Sequence, residues 1–168
     1  MKKLSYAGIG SRETPTEILS LMTRLAVRLE ELDYILHSGG ADGADTAFEQ
    51  GVKCATNKII FLPWTNFNGR MGTPEIPPRA FEIAKQFHPS PERLSGGVLK
   101  LMARSSQQIL GQNLDEPVSF VLCWHLGTGG TTQAVRIAEH HGIPVINLAD
   151  SDWREKARAV VPSIKGGN

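Results

Sequence analysis

The chain has 168 residues, a length typical of one domain, and its formal net charge is +1. This near-neutral balance provides no electrostatic argument for a nucleic-acid or membrane partner. No apolar run approaches the roughly 18 residues that a transmembrane helix needs, and no leader-type segment precedes the first apolar run, so a cytoplasmic protein is expected.

Short apolar runs alternate with amphipathic segments along the whole chain. The runs predict five strands, at Leu4–Ile9, Tyr34–His37, Lys58–Leu62, Val118–Cys123 and Ile143–Leu148. Helical spacing predicts a first helix capped by Thr14, then helices at Ala44–Ala55, Arg79–Phe87, Pro91–Leu110, Thr131–His141 and Trp153–Val160. Because the strands are apolar throughout rather than alternating, they predict a mainly parallel sheet covered on both faces. We therefore expect one domain over residues 1–168, a Rossmann-like three-layer α/β sandwich.

Three glycine-rich segments follow predicted strands. The first turn comprises Gly8, Gly10, Ser11 and Arg12; the second comprises Ser38, Gly39, Gly40, Asp42 and Asp45; the third comprises Gly127, Thr128, Gly129, Gly130, Thr131 and Thr132. Ligands of open α/β sheets bind beyond the carboxyl ends of the strands. Glycine lets the backbone approach a ligand, and a helix that starts there directs free N–H groups at an anion. Together the turns predict a phosphate or nucleotide site, in which Gly130 is expected to need a positive φ.

Two familiar phosphate motifs are absent. No turn carries the Gly-Lys-Ser/Thr of a P-loop, and the first turn lacks the third glycine of the dinucleotide fingerprint. Neither P-loop ATP hydrolysis nor ordinary NAD chemistry is therefore expected. The two cysteines, Cys54 and Cys123, show no close metal-ligand spacing and are expected to pack in the core, so no metal site is predicted. No cofactor is predicted either.

The three turns resemble the superfamily that joins DNA-processing protein A (DprA) with the cytokinin-activating phosphoribohydrolases, the SMF/DprA–LOG or SLOG fold. Residues 38–45 resemble its DprA-type segment, and 127–133 resemble the last glycine-rich turn of the phosphoribohydrolases. Arg104 falls where DprA-like chains carry an Arg-Asn segment. The resemblance spans about residues 4–148, extends to small DprA-like bacteriophage proteins, and implies a homodimer.

One departure from the resemblance bears on catalysis. The catalytic glutamate of the phosphoribohydrolases falls on Ala134, and the proline of their motif falls on Leu126. An alanine cannot perform acid–base chemistry, so the phosphate-binding turn is kept while the hydrolase signature is broken.

Three functions stay open at this point. In the first, the chain binds a nucleotide or an ADP-ribose-like ligand as a sensor or sequestering protein. In the second, it cleaves N-glycosidic bonds or transfers ribosyl groups, with Asp45, Asp42 or Glu49 in place of the missing glutamate. In the third, it binds single-stranded DNA weakly, as a DprA-like protein. Helix-start geometry is expected to keep Asp45 ionised.

Other side chains have a structural and a functional interpretation each. Asp42 either caps a helix or holds a ribose hydroxyl, and Glu49 is expected to be solvated. In the long segment Trp64–Pro78, an aromatic ring either stacks on a base, with the amides reading its edge, or pins the loop. His125 either donates to phosphate or is structural. Gln107 and Gln108 either reach a ligand or face solvent.

Overall fold

The computed structural model describes residues 2–161, which contain one five-stranded sheet and six α-helices. The strands are β1 (Ser5–Gly10), β2 (Ile35–Ser38), β3 (Lys58–Ile60), β4 (Phe120–Trp124) and β5 (Val145–Asn147). The helices are α1 (Thr16–Glu31), α2 (Ala44–Gly51), α3 (Pro78–Phe87), α4 (Gly96–Leu110), α5 (Gly129–His140) and α6 (Trp153–Val160). No helix in this part of the chain is both long and apolar enough to cross a bilayer.

All strand pairs are parallel, in the order β3-β2-β1-β4-β5. One face of the sheet packs against α1, α2 and α6, and the other packs against α3, α4 and α5. On β1, Tyr6 points to the first layer and stacks on Phe120, whereas Ala7 and Ile9 point to the second. The predicted Rossmann-like three-layer sandwich is confirmed, because helices pack on both faces of an all-parallel sheet, while the edge strand β3 stays partly exposed.

Several element boundaries differ from the sequence predictions. The predicted helix Pro91–Leu110 is wrong at its start: a short 3₁₀ turn, Pro91–Arg93, precedes α4, and Gly96 has a φ of +52°. Helix α2 stops at Gly51, so Cys54 lies exposed outside it and not in the core. Pro15 and not Thr14 occupies the N-cap of α1, while the Thr14 hydroxyl donates to the Ser11 carbonyl.

Candidate functional site

The strand order reverses between β1 and β4, because the chain adds β2 and β3 on one side of β1 and then β4 and β5 on the other. In open α/β sheets such a reversal opens a crevice at the carboxyl edge. The three glycine-rich turns follow the neighbouring strands β2, β1 and β4, so the structure places all of them at this edge. The Ser11 N–H donates to the Trp124 carbonyl at 3.0 Å, which ties the first turn to the end of β4.

In the first turn, the two glycines meet a packing requirement of the core. A Cβ on Gly8 would lie 2.7 Å from the Phe48 ring, and a Cβ on Gly10 would lie 2.5 Å from the Ala44 Cβ. Both positions are glycine because α2 packs closely on β1. Arg12, by contrast, is exposed and makes no hydrogen bond or ion pair within residues 2–161. The first turn therefore offers a free guanidinium next to the crevice.

In the second turn, Gly39 separates two buried charged side chains. A Cβ on Gly39 would lie 2.6 Å from Arg104 Nη1 and 2.9 Å from Asp45 Oδ2. The same Nη1 donates to the Gly39 carbonyl and, at 3.3 Å, to the Phe61 carbonyl, while Asp45 Oδ2 accepts the Ala41 N–H at 3.1 Å. The absent side chain of Gly39 thus allows α2 and α4 to bring opposite charges to the end of β2.

Burial sets the electrostatics of this pair. Desolvation raises the pKa of Asp45 to about 6, although the Arg104 charge and the Ala41 N–H both act to lower it. Desolvation likewise lowers the pKa of Arg104. Asp45 was expected to stay ionised because of its place at the start of α2. With a pKa of about 6 it is mostly ionised at pH 7, but desolvation is the largest influence on that pKa and acts against the charged form.

Residues 67–70 of the long loop cover the second turn. Asn68 donates to the Gly40 carbonyl at 3.1 Å and to Asp42 Oδ1 at 3.3 Å, and Arg70 forms an ion pair with Glu49. Glu49 is buried, so its prediction as a solvated side chain is wrong. Asp42 is exposed and does not cap α2, whose N-cap residue is Gly43.

Several polar atoms under this cover have no hydrogen-bond partner within residues 2–161. They are Ser38 Oγ, Glu49 Oε1 and Arg104 Nε, and all three residues are at least nine-tenths buried. An unsatisfied buried polar group costs about 1–3 kcal/mol, so each of these atoms is a place where water or a ligand atom would be stabilising.

The third turn forms the start of α5, which begins at Gly129 and not, as predicted, at Thr131. Gly127 and Gly129 have φ values of +95° and +84°, and a Cβ on either would meet nothing within 4 Å. Gly130 does not have the positive φ that was expected of it. No side-chain oxygen caps α5, so the first N–H groups of this helix remain available to an anion. Thr131 is buried.

His125 is held in place by the turn that follows β4. The Gly127 N–H donates to its Nδ1 at 3.1 Å, which leaves the proton of the neutral ring on Nε2, and burial lowers the pKa of the ring. The Thr132 hydroxyl lies 3.0 Å from both this Nδ1 and the Thr128 carbonyl oxygen.

Asn147, at the end of β5, was missed by the sequence analysis. Its Oδ1 accepts the His125 N–H at 3.2 Å and the Ala149 N–H at 3.1 Å, and its Nδ2 donates to the His125 carbonyl at 3.0 Å. A polar amide directly at a strand end is the sequence signal by which Asn147 could have been found. Asn147 therefore fixes the backbone that enters the third turn.

Two glutamines near the motifs join distant segments of the chain. Gln107 Nε2 donates to the Glu75 carbonyl at 2.9 Å, and Gln133 Nε2 donates to the Ala84 carbonyl at 2.9 Å, so they anchor the long loop and α3. Gln108 is buried as well, but its Nε2 has no hydrogen-bond partner within residues 2–161. Ala134 packs inside the apolar layer under α5, so the position of the hydrolase glutamate faces the core.

Two concavities accompany the crevice. One, of about 260 Å³, lies between the end of β3 and residues 71–75, and the other, of about 340 Å³, lies between α1 and α2 beside Asp42. Neither includes the third turn. An anion at a helix start needs N–H groups and not enclosure, so the third turn can hold one without a deep cavity.

Comparison with known proteins supports the fold. No protein-family model matches the chain, and no curated protein matches it. Among solved structures, it is similar to DNA processing protein A from Helicobacter pylori, which binds single-stranded DNA. That match has a TM-score of 0.57 and 16% identity, and covers 98% of this chain and 80% of the other. The chain therefore has a DprA-like α/β fold.

Proposed function

We propose that the protein is a SLOG-type binder of a phosphate-bearing, nucleotide-type ligand in the crevice between β1 and β4. The observation that carries the proposal is the reversal of strand order beside two glycine-rich turns, one of which begins α5 without a side-chain cap. Thr128, Gly129 and Gly130 supply backbone N–H groups to the phosphate. The Gly127 N–H and the Thr132 hydroxyl are engaged with His125 and the Thr128 carbonyl, so they hold the turn in shape. Arg12 adds a planar cation suited to phosphate oxygens.

The second turn binds the sugar of the same ligand. Asp42 is exposed at this edge and accepts a hydrogen bond from Asn68, so its carboxylate is available to a hydroxyl. Asp45 and Arg104 lie beneath residues 67–70 and act from below, by fixing Ala41 and Gly39. In this proposal they are positioning residues. Ser38 is buried at the end of β2, with its hydroxyl unpartnered within residues 2–161.

Binding is favoured over catalysis by the position of Ala134. Because that residue is in the core, no carboxylate is available from the first turns of α5 to assist cleavage of a glycosidic bond. Of the remaining carboxyl candidates, Asp45 and Glu49 are buried under the long loop, whereas Asp42 is exposed and already accepts a hydrogen bond from Asn68. We therefore favour a sensor or sequestering protein, with phosphoribohydrolase-like or ribosyl-transfer chemistry at Asp45 and Asp42 as the alternative.

Titration calorimetry and thermal melting with AMP, ADP-ribose, ribose 5-phosphate and adenosine test the proposal. A ligand at a hundred times its Kd stabilises the folded state by about 2.7 kcal/mol, which is a measurable rise in Tm. We expect the phosphorylated compounds to raise Tm and adenosine to do so weakly or not at all. Absence of binding by every phosphorylated compound would refute the proposal, and release of free base from AMP would favour the enzyme.

Single-stranded DNA binding is the second candidate function. It is favoured by the structural similarity to DNA processing protein A from Helicobacter pylori, together with the unpaired Arg12 at the crevice. The net charge of +1 argues against strong binding. A homodimer is a further proposal that rests on the resemblance alone, and light scattering in solution tests it.

A further inference from the structure

Large exposed apolar side chains lie beside the carboxyl edge of the sheet. Trp64 is 38% exposed and Met71 is 93% exposed in the loop after β3; Val98 is 50% exposed at the start of α4, and Leu126 is 70% exposed after β4. Packing within residues 2–161 leaves these side chains uncovered. Leu126 directly precedes the third turn, and Trp64 lies against Gly97 of α4.

Trp64 is connected to the second turn by a chain of contacts. Its ring meets the Phe67 ring edge-on, with centroids 5.1 Å apart and planes at 88°. The Phe67 ring in turn lies 5.6 Å from the guanidinium carbon of Arg104, which donates to the Gly39 carbonyl. The indole also lies against Gly97, where a Cβ would be 3.5 Å from it. The indole is therefore held next to the site while part of it stays exposed.

The polar groups around the indole differ in their availability. The side chain of Asn68 is already engaged with Gly40 and Asp42. The side-chain amide of Asn66 has no hydrogen-bond partner within residues 2–161, and Asn66 is exposed with a φ of +62°. An aromatic ring with a free amide two residues away provides a stacking surface and a group that can hydrogen-bond the edge of a base.

Helix α4 links the indole to the start of α5. Its Gly97 lies against Trp64, and its Met102 side chain would lie 3.8 Å from a Cβ on Gly130. Five residues of helix span about 7.5 Å, which is comparable with the distance between base and phosphate in a nucleotide. We propose that Trp64 and Asn66 form the nucleobase subsite of the ligand whose phosphate lies at the start of α5; this inference rests on the proposed function.

Paired titrations with AMP and ribose 5-phosphate test the subsite. Stacking of a base on an aromatic side chain is worth about 1–3 kcal/mol, so Trp64→Ala is expected to weaken AMP binding roughly 10- to 100-fold. Ribose 5-phosphate binding is expected to stay unchanged. Trp64→Phe keeps a ring and is expected to recover most of the AMP affinity, while Met71→Ala, in the same loop, serves as the matched control.

Fluorescence of the unmodified protein gives a measurement that needs no variant to fold. The chain has three tryptophans, and Trp124 is buried. AMP is expected to quench the emission and ribose 5-phosphate is not, and the quenching is expected to disappear in Trp64→Phe. Equal AMP affinity in Trp64→Ala and unmodified protein would overturn the subsite but leave the phosphate site intact. Failure of both compounds to bind the unmodified protein would overturn the proposed function itself.

Discussion

At the scale of single residues, Asp45 shows a competition between two effects. It lies in the first turn of α2, where the helix dipole stabilises a carboxylate by about 0.3–1 kcal/mol. Its burial nevertheless raises its pKa from 3.8 to about 6. A shift of this size corresponds to about 3 kcal/mol against the charged form, so desolvation is the larger effect.

This raised pKa predicts a pH dependence of stability. Between about pH 4 and pH 6 the folded protein retains a proton on Asp45 that the unfolded chain has lost, so the free energy of unfolding falls as pH rises through this window. Above pH 6 the full destabilisation is present. Asp45→Asn is expected to remove this contribution, by about 3 kcal/mol over the window. Urea denaturation of both proteins from pH 4 to pH 7 measures it, and parallel profiles would contradict the assignment.

Gly130 allows phosphate binding to be separated from folding. A Cβ at this position would be 3.8 Å from the Met102 side chain, an ordinary contact, so a side chain fits. Gly130→Asp places a carboxylate at the start of α5, which is expected to leave stability unchanged or raise it by about 0.3–1 kcal/mol. The same charge is expected to weaken ribose 5-phosphate binding roughly tenfold or more by repulsion.

Gly130→Asn has nearly the same volume without the charge and is the control. It is expected to bind ribose 5-phosphate much more tightly than the Asp variant does. Calorimetric titration gives the comparison, and equal affinities of the two variants would place the anion elsewhere.

At the scale of elements, the long loop is held to α2 by a charged pair of unequal burial. Glu49 is buried, whereas the Arg70 side chain is 32% exposed. Arg70→Met leaves a buried carboxylate without its cation and is expected to cost about 1–3 kcal/mol of stability, somewhat below the 3–5 kcal/mol typical of fully buried pairs. Adding Glu49→Gln is expected to recover part of that loss, because the unpaired charge disappears.

Chemical denaturation of the two single variants and the double variant measures this coupling. Lys2→Met provides a comparison, since Lys2 pairs with Glu116 where both side chains are mostly exposed, and its effect is expected to stay below about 1 kcal/mol. A strictly additive double variant would show that the loop is not held by this pair.

Strand positions and layers followed from the sequence because apolar runs and helical spacing are local signals. The start of α4 did not, since Gly96 adopts a left-handed conformation that interrupts an otherwise helical pattern. Residues of the second turn were found from their glycines. The sequence did not predict that residues 67–70 cover this turn. The contacts of Asn68 with Gly40 and of Arg70 with Glu49 join segments far apart in sequence, and such contacts leave no periodic pattern.

At the scale of the whole molecule, the net charge of +1 sets an expectation for DNA. Few phosphate contacts mean little counterion release, so single-stranded DNA is expected to bind with a Kd of about 10⁻⁶ M or weaker at physiological salt. Fluorescence anisotropy with a labelled oligothymidine over a salt series measures this. Arg12→Gln is expected to reduce the salt slope by about one if the crevice contacts the DNA backbone. Nanomolar binding with a steep slope would instead favour DNA as the ligand.

The reversal of strand order also affects how the chain acquires its fold. β1 is made first but lies at the centre of the sheet, and Tyr6 pairs with Leu36 on one side and with Phe120 on the other. The second pairing forms only after the residues between β1 and β4 have been synthesised, and pairing at such sequence separation is slow. Until then β1 presents an open edge to other nascent chains, and such edges promote association. The arrangement that opens a binding crevice in the folded protein therefore leaves one edge of its central strand unpaired until β4 has been made.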